Sequence, residues 1–252
     1  MTRAQSFFHR RAFLDVALGG LALGAIAPFS SGVHAQTGAG AKVKIATIGA
    51  GREGGALGSL FAKHGYSVMF SSRNPDQLKD LVASAGPNAK AGSVAEAVGF
   101  GDAVLLVVPY TAVEQIGKDY GKGLAEKRLL LDVSNPIARR DGDEIVNWVE
   151  QQGGAGLATA KLIPGTHLVR GFNAIGSGFL AKAAHRAGEP LGVPIAGDDR
   201  DAVALAITLI TDIGFEPVLV GGLAKGKYLV PGTPLGGQHT AAEIREIAAK
   251  LT

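Results

Sequence analysis

The chain of 252 residues contains no cysteine, which removes disulfide bridges, thiolate catalysis and iron–sulfur ligation at once. Aromatic residues are scarce, at 6%, and no basic stripe interleaved with aromatics appears, so nucleic acid is not an expected partner. The six histidines stand alone, with no pair at helical spacing, and no metal site is expected. Nor is there a hydrophobic run long enough to anchor the chain in a bilayer. The longest, residues 16–29, falls short of the about 20 residues that a stable span takes.

What the chain has in quantity is glycine, 37 residues, within an apolar fraction of 46%. Rich in Ala, Val, Leu and Gly, it suits tightly packed helix-on-sheet layers better than a sandwich or barrel. The start differs from the rest. Residues 1–35 combine a basic opening, the apolar run and a small-residue exit at Val33, His34 and Ala35, the pattern of an export signal. Arg10 and Arg11, followed by Ala12, Phe13 and Leu14, resemble a twin-arginine signal, from which His9 and Asp15 depart. The expectation is export to the periplasm or beyond by that route, with no stable membrane span after cleavage. A general secretory signal or an uncleaved tether are the alternatives. Cleavage after Ala35 removes three arginines and one aspartate, bringing the net charge from +3 to +1.

After a linker at residues 36–41, apolar runs alternate with helix-like segments. "KVKIATI", "YSVMFS", "DAVLLVVP" and "RLLLDVSNP" read as strands covered on both faces. "EGGALGSLFAKHG" and "NPDQLKDLVASAG" read as helices, the second with Asn74 as N-cap, Pro75 at its first position, Gln77 closing a capping box and Gly86 ending it. Further on come a Gly-rich loop over residues 151–165, a strand in "HLVRGFN", a helix over 178–185, a strand "GVPIAG", a helix over 201–213, a strand "FEPVLV" and a terminal helix capped by Thr240. The β-α-β period predicts an α/β chain: a Rossmann, doubly wound parallel sheet over residues 42–165, and a smaller α/β part over 166–252 that completes an acceptor pocket.

"KIATIGAGREGGALG" holds G-x-G-x-x-G at Gly49, Gly51 and Gly54, closing a strand and opening a helix. Gly49 permits the turn, Gly51 the approach of a pyrophosphate, and Gly54 close helix–strand packing. Ala50, Arg52 and Glu53 belong to the same loop and are expected to bind the cofactor with it. Where an NAD-binding fold places an acid, about 20 residues on, this chain has Ser71, Ser72 and Arg73. A carboxylate repels a 2′-phosphate, whereas hydroxyls and a guanidinium bind one. The expected cofactor is therefore NADP(H), with Ser72, Arg73 and Arg52 toward the adenine-side phosphate. A solvated surface role for Arg73 is the plain alternative.

The segments "ATIGAGREGGALGSLFAKHGYSVMFSSRN", "DAVLLVVPYTAVEQI", "LLLDVSNPI", "LVRGFNAI" and "VPIAGDDRDAVALAITLITDIGFEPVLVGGL" occur in the order that the NADPH-dependent reductases of the deazaflavin coenzyme F-420 show. Over residues 43–223 the chain resembles that family, and the oxidoreductase domains of STEAP-type metalloreductases are similar. The resemblance implies 2′-phosphate contacts at Ser72 and Arg73, a nicotinamide-side wall at Val108 and Pro109, and a reaction pocket bordered by Asn173 and Ala174, with F-420 or a flavin as second substrate. Two departures stand out: Gln77 replaces a lysine shortly after the arginine, and Asn173 replaces a pocket histidine. Tyr110, Asn135 and Pro136 are candidates for the acceptor pocket, although an aromatic after a strand is more often simple packing.

Hydride transfer between cofactors asks little acid–base help of a protein, and no catalytic acid or base is nominated. The expected partner is a small-molecule electron acceptor; a homodimer stays open. Two other functional readings remain: a non-catalytic exported NADP-binding module, and an imine reductase of the pyrroline-carboxylate kind, which shares the N-terminal half. "GGLAKGKY" nearly spells a P-loop, but Tyr228 stands where a Ser or Thr must ligate magnesium. "GDDRD" and "DGDE" are acids opening helices, where the macrodipole favours them.

Overall fold

The computed structural model describes residues 42–251; the expected export signal and linker lie outside the described residues. Along the chain come β1 (Ile45–Ile48), α1 (Arg52–Lys63), β2 (Val68–Ser71), α2 (Lys79–Ala85), β3 (Ala89–Gly92), α3 (Val94–Phe100), β4 (Ala103–Leu106), α4 (Val113–Ala125) and β5 (Leu129–Asp132). Then follow α5 (Ala138–Asp141), α6 (Asp143–Gln151), α7 (Ala155–Leu162), β6 (Leu168–Arg170), α8 (Ser177–Ala183), β7 (Gly192–Gly197), α9 (Arg200–Asp212), β8 (Glu216–Gly221) and α10 (Ala241–Ala248). The strands form one sheet in the order β3-β2-β1-β4-β5-β6-β7-β8.

Strands β1 to β6 are parallel, the dinucleotide-binding arrangement with its order reversal between β1 and β4. Alternate residues of each strand enter opposite cores. Ile45, Val68, Phe70, Leu105, Leu129 and Leu131 join α1, α8 and α9 on one face. Ala46, Met69, Val104, Leu106 and Leu130 meet α3, α4 and α7 on the other. That is the two-sided winding expected from strands that are apolar throughout. Each fully buried Leu or Phe contributes about 1.5–3 kcal/mol through the water it excludes.

Strand β6 pairs with β5, so the C-terminal part continues the sheet rather than standing apart. The last two strands depart from the all-parallel expectation: β7 runs antiparallel to β6, and β8 parallel to β7. A small third core of Ala196, Val218, Leu229, Leu235 and Ile244 tucks α10 under this edge, with Thr240 and Glu243 forming a capping box.

Local differences have local causes. The helix expected from Asn74 begins as a 3-10 turn, Pro75–Leu78, without a side-chain cap or capping box. The Asn74 N–H donates instead to Ser72 Oγ at 3.0 Å, closing the turn out of β2. The loop expected over 151–165 holds α7: Gly153 and Gly154, both at positive φ, make the turn, and the helix-favouring "AGLATAKL" follows. The short β3, with charged Lys90 in its middle, lacks the apolar run that marks its neighbours. No helix among the described residues is long and apolar enough to cross a membrane.

Candidate functional site

The glycine motif occupies the turn from β1 into α1. Gly49 sits at φ +95°, and a Cβ there would lie 2.2 Å from the Val107 carbonyl oxygen. At Gly54 a Cβ would lie 2.0 Å from the Gly49 carbonyl oxygen. Both positions exclude any side chain. Gly51 differs: nothing lies within 4 Å of where its Cβ would stand. It is also the N-cap of α1, and no side chain caps that helix end. Open space beside uncapped N–H groups at the positive end of a twelve-residue helix suits a phosphate group.

This turn opens into a cleft of about 520 Å³ at the C-terminal edge of the parallel strands. Of the residues singled out in the sequence, it gathers Gly51, Arg52, Glu53, Gly54, Val108, Pro109, Asn135, Asn173 and Ala174. Gly49 and Ala50 form the turn behind it, the Ala50 N–H donating to the Ser71 carbonyl at 3.1 Å. Ser72, Arg73 and Pro136 are not among its lining. Ser72 and Arg73 lie at the exit of β2, where Ser71 pairs in register with Ile48 at the end of β1. Ser71 is buried, its hydroxyl donating to the Thr47 carbonyl at 2.6 Å; Arg73 is exposed.

Tyr110 does not reach the cleft. Its ring is buried in the core on the α3–α4 face, and its hydroxyl meets Thr159 Oγ1 at 3.1 Å. Burial pushes this phenol up to about 12, so it titrates far from neutrality. Two larger hollows, of about 760 and 710 Å³, lie around His167 and Asp212 and beside Trp148. Neither touches the glycine loop.

The inner wall is set by the exits of β5 and β6. Asp132 and Arg170, both fully buried, face each other across the paired strands at 2.5 Å. Ser134 Oγ and Thr159 Oγ1 also donate to the Asp132 carboxylate, and Arg170 Nη2 donates to the Ser134 carbonyl at 3.0 Å. Beyond Arg170 the chain turns sharply through Phe172 at φ +60°, a bulky residue in the left-handed region. That conformation costs of order 1–3 kcal/mol and is held by its surroundings, here the edge-on contact of Phe172 with Phe215. The turn delivers Asn173, whose Nδ2 donates to the Asp132 and Ser134 carbonyls at 3.1 and 3.4 Å. Those two carbonyls fix the amide's orientation. Its Oδ1 is buried without a hydrogen-bond partner.

A second unpartnered oxygen in the cleft wall is Glu53 Oε1. Burial raises the Glu53 carboxyl from 4.5 to about 7, while a hydrogen bond from the Ser177 N–H pulls the other way. Sequence reasoning placed Glu53 in the loop but not its link to α8, and it missed Ser134, Arg140, Phe172, Ile175 and Pro231, which also line the cleft. The Asp132–Arg170 pair did leave a signal: one acid ending "LLLD" and one arginine ending "LVR", each in an otherwise apolar strand. Among the described residues no group of three His, Asp or Glu stands close enough to hold a metal ion.

Residues 44–136 match the family model described as NADP oxidoreductase, coenzyme F420-dependent. Among solved structures, the chain is similar to a hypothetical protein from Sinorhizobium meliloti at 26% identity and a TM-score of 0.64, covering 77% of this chain and 93% of that one. It is also similar to a candidate F420-dependent NADP reductase from Arthrobacter sp. FB24, at 18% identity and a TM-score of 0.60, covering 74% and 88%. An imine reductase from Myxococcus stipitatus in complex with NADP+ shares 19% identity at a TM-score of 0.51, over 82% of this chain and 60% of that one. The last two likenesses are of fold. The matched residues run from β1 to the loop after β5 and include the glycine turn, so it is this part of the chain that is similar to the coenzyme F420-dependent NADP oxidoreductases.

Proposed function

We propose that this protein passes hydride between NADP(H) and a flavin-like or deazaflavin acceptor held in the cleft beside the glycine loop. The observation that carries the reading is the joining of two features in one place. An uncapped helix N-terminus with open space at Gly51 meets a cleft walled by Val108, Pro109, Phe172 and Ile175. The first binds a pyrophosphate; the second offers apolar contact to flat rings.

NADP(H), when bound, supplies the hydride chemistry of its nicotinamide ring. The chain's own residues bind, orient and exclude water. The first N–H groups of α1 receive the pyrophosphate, and Arg52, Ser72 and Arg73 supply cationic and hydroxyl donors for a 2′-phosphate. Asn173, fixed from behind by the β5 exit, presents an acceptor for an N–H group such as a carboxamide. The buried Asp132–Arg170 pair keeps the wall behind Asn173 rigid.

The test is stopped-flow oxidation of NADPH by the full chain with riboflavin, FMN and a 5-deazaflavin. Turnover with at least one acceptor, and binding that favours NADPH over NADH, are expected. Absence of NADPH binding overturns the reading, and binding without turnover of any acceptor reduces it to a dinucleotide-holding module. Export of the protein is a separate proposal resting on residues 1–35; exchange of Arg10 and Arg11 for lysine is expected to block it, and normal secretion of that variant refutes it.

A further inference from the structure

Glu53 lines the cleft and has no part in the proposed cofactor contacts. It occupies the first turn of α1. The cap residue of α8, Gly176, offers no side chain, and Glu53 fills that role by accepting from the Ser177 N–H. Capping needs only one carboxylate oxygen. The other, Oε1, is buried with no partner, and a buried unpartnered oxygen in a ligand cleft calls for a function.

We propose that Glu53 is the proton donor of this cleft, delivering its proton to the nitrogen of a C=N acceptor as that acceptor takes up hydride. The inference rests on the NADP-dependent reading above and names the substrate class within it. In a flavin or a deazaflavin, hydride adds at one end of the conjugated system and the new lone pair appears on a ring nitrogen; in a cyclic imine, hydride adds to the C=N carbon and the lone pair appears on the nitrogen beside it. The acceptor gains a hydride, with its two electrons, from the reduced nicotinamide and a proton from the Glu53 O–H. The carboxylate left behind regains a proton from solvent.

Burial in the cleft favours the neutral acid, whereas a neighbouring cation opposes it. The cleft's other ionisable lining side chains are Arg52 and Arg140. Arg140 is held by Asp141 at 2.8 Å and by the Asn135 carbonyl at 2.6 Å. Helix α8 presents the Ser177 N–H; its Lys182 is exposed in the last turn. Helix α2, also against α1, carries Lys79 and Asp80 on its exposed side. Burial is the largest influence on the Glu53 carboxyl, which titrates near 7, where a donor to nitrogen works best at physiological pH. A pyrophosphate at the same helix end raises it further, because like charges oppose ionisation.

The experiment compares wild type with Glu53→Gln, which keeps an oxygen for the Ser177 N–H but has no acidic proton. Calorimetric titration of NADP+ at pH 7.5 in two buffers of different ionisation enthalpy reads protons taken up on binding. Wild type is expected to take up a fraction of a proton that the variant does not. Steady-state reduction of a 5-deazaflavin and of a cyclic imine, each from pH 5.5 to 9, reads the transfer. Wild-type kcat is expected to fall as pH rises through a value above about 7, since kcat reads the cofactor-bound form, and the variant to run roughly 100-fold slower with that dependence gone. The two acceptors separate ring-type from simple imine substrates. An unchanged rate, or a slower variant that keeps the wild-type pH profile, overturns the proposal and leaves Glu53 a positioning residue. So does turnover of neither C=N acceptor by a wild type that binds NADPH. Failure of the NADP-dependent reading shows differently, as absent NADPH binding in the wild type.

Discussion

Arg73→Ala tests cofactor choice most directly. Arg73 is exposed just past β2, and no hydrogen bond or ion pair ties it to another described residue. Its loss is expected to change fold stability by no more than about 0.5 kcal/mol. Nearby, the Ser71 hydroxyl is committed to the Thr47 carbonyl, while Ser72 Oγ accepts from the Asn74 N–H and keeps its own proton to donate. That leaves Arg73 as the main cation at this strand exit. A hydrogen bond to a charged group contributes about 1.5–3 kcal/mol, and at 1.36 kcal/mol per decade the variant is expected to bind NADPH about 10- to 150-fold more weakly. NADH has no 2′-phosphate and is expected to bind unchanged. Isothermal titration of both coenzymes against both proteins reads the difference, which shrinks as salt rises because the contact is exposed. Equal losses for NADPH and NADH, or no loss for either, refute the assignment of this corner to the 2′-phosphate.

Gly51→Ala and Gly54→Ala are expected to separate binding from folding. At Gly51 the added methyl meets nothing, so urea unfolding stays close to wild type while NADPH affinity drops at least tenfold; retained affinity removes Gly51 from the phosphate cradle. At Gly54 the methyl collides with the Gly49 carbonyl, and a loss of at least about 1–3 kcal/mol in stability is expected by the same measurement. Arg170→Met leaves the Asp132 charge alone in the core and is expected to cost about 3–5 kcal/mol, whereas the pair Asp132→Leu with Arg170→Met recovers most of it; a single-variant loss below about 1 kcal/mol contradicts the buried pair. Because the folded Glu53 pKa is raised from 4.5 to about 7, its contribution is fully present below the lower value and is lost as pH rises through the upper one. The full shift corresponds to roughly 3 kcal/mol, which partial exposure reduces to roughly 1–2 kcal/mol. Relative to Glu53→Gln, the wild type is therefore expected to be less stable at pH 8 than at pH 5 by that amount, and parallel stability curves contradict it.

The sequence by itself determined the sheet's central strands, the glycine turn and the loop that opens the cleft. Strands such as "AVLL" and "LLLD" are apolar at every position, a local pattern that only burial on both faces satisfies. The glycines at 49 and 54 stand where any side chain meets backbone. The weaker segments were less legible. The strand "AKAG" carries no such run, and α7 follows glycines that read as a loop.

Only the tertiary structure decided which polar groups meet. Asp132 and Arg170 are 38 residues apart and become partners because β5 and β6 pair in a register that sets them opposite. Tyr110 turns away from the cleft because the face on which it leaves β4 leads into the second core. Glu53 becomes a half-buried acid because α8 packs on α1, and Asn173 enters the cleft through the left-handed turn at Phe172. Periodicity and turn chemistry are properties of neighbouring residues and can be read along the chain. Burial, the desolvation of a carboxyl and the pairing of distant charges arise only once the strands have chosen their neighbours.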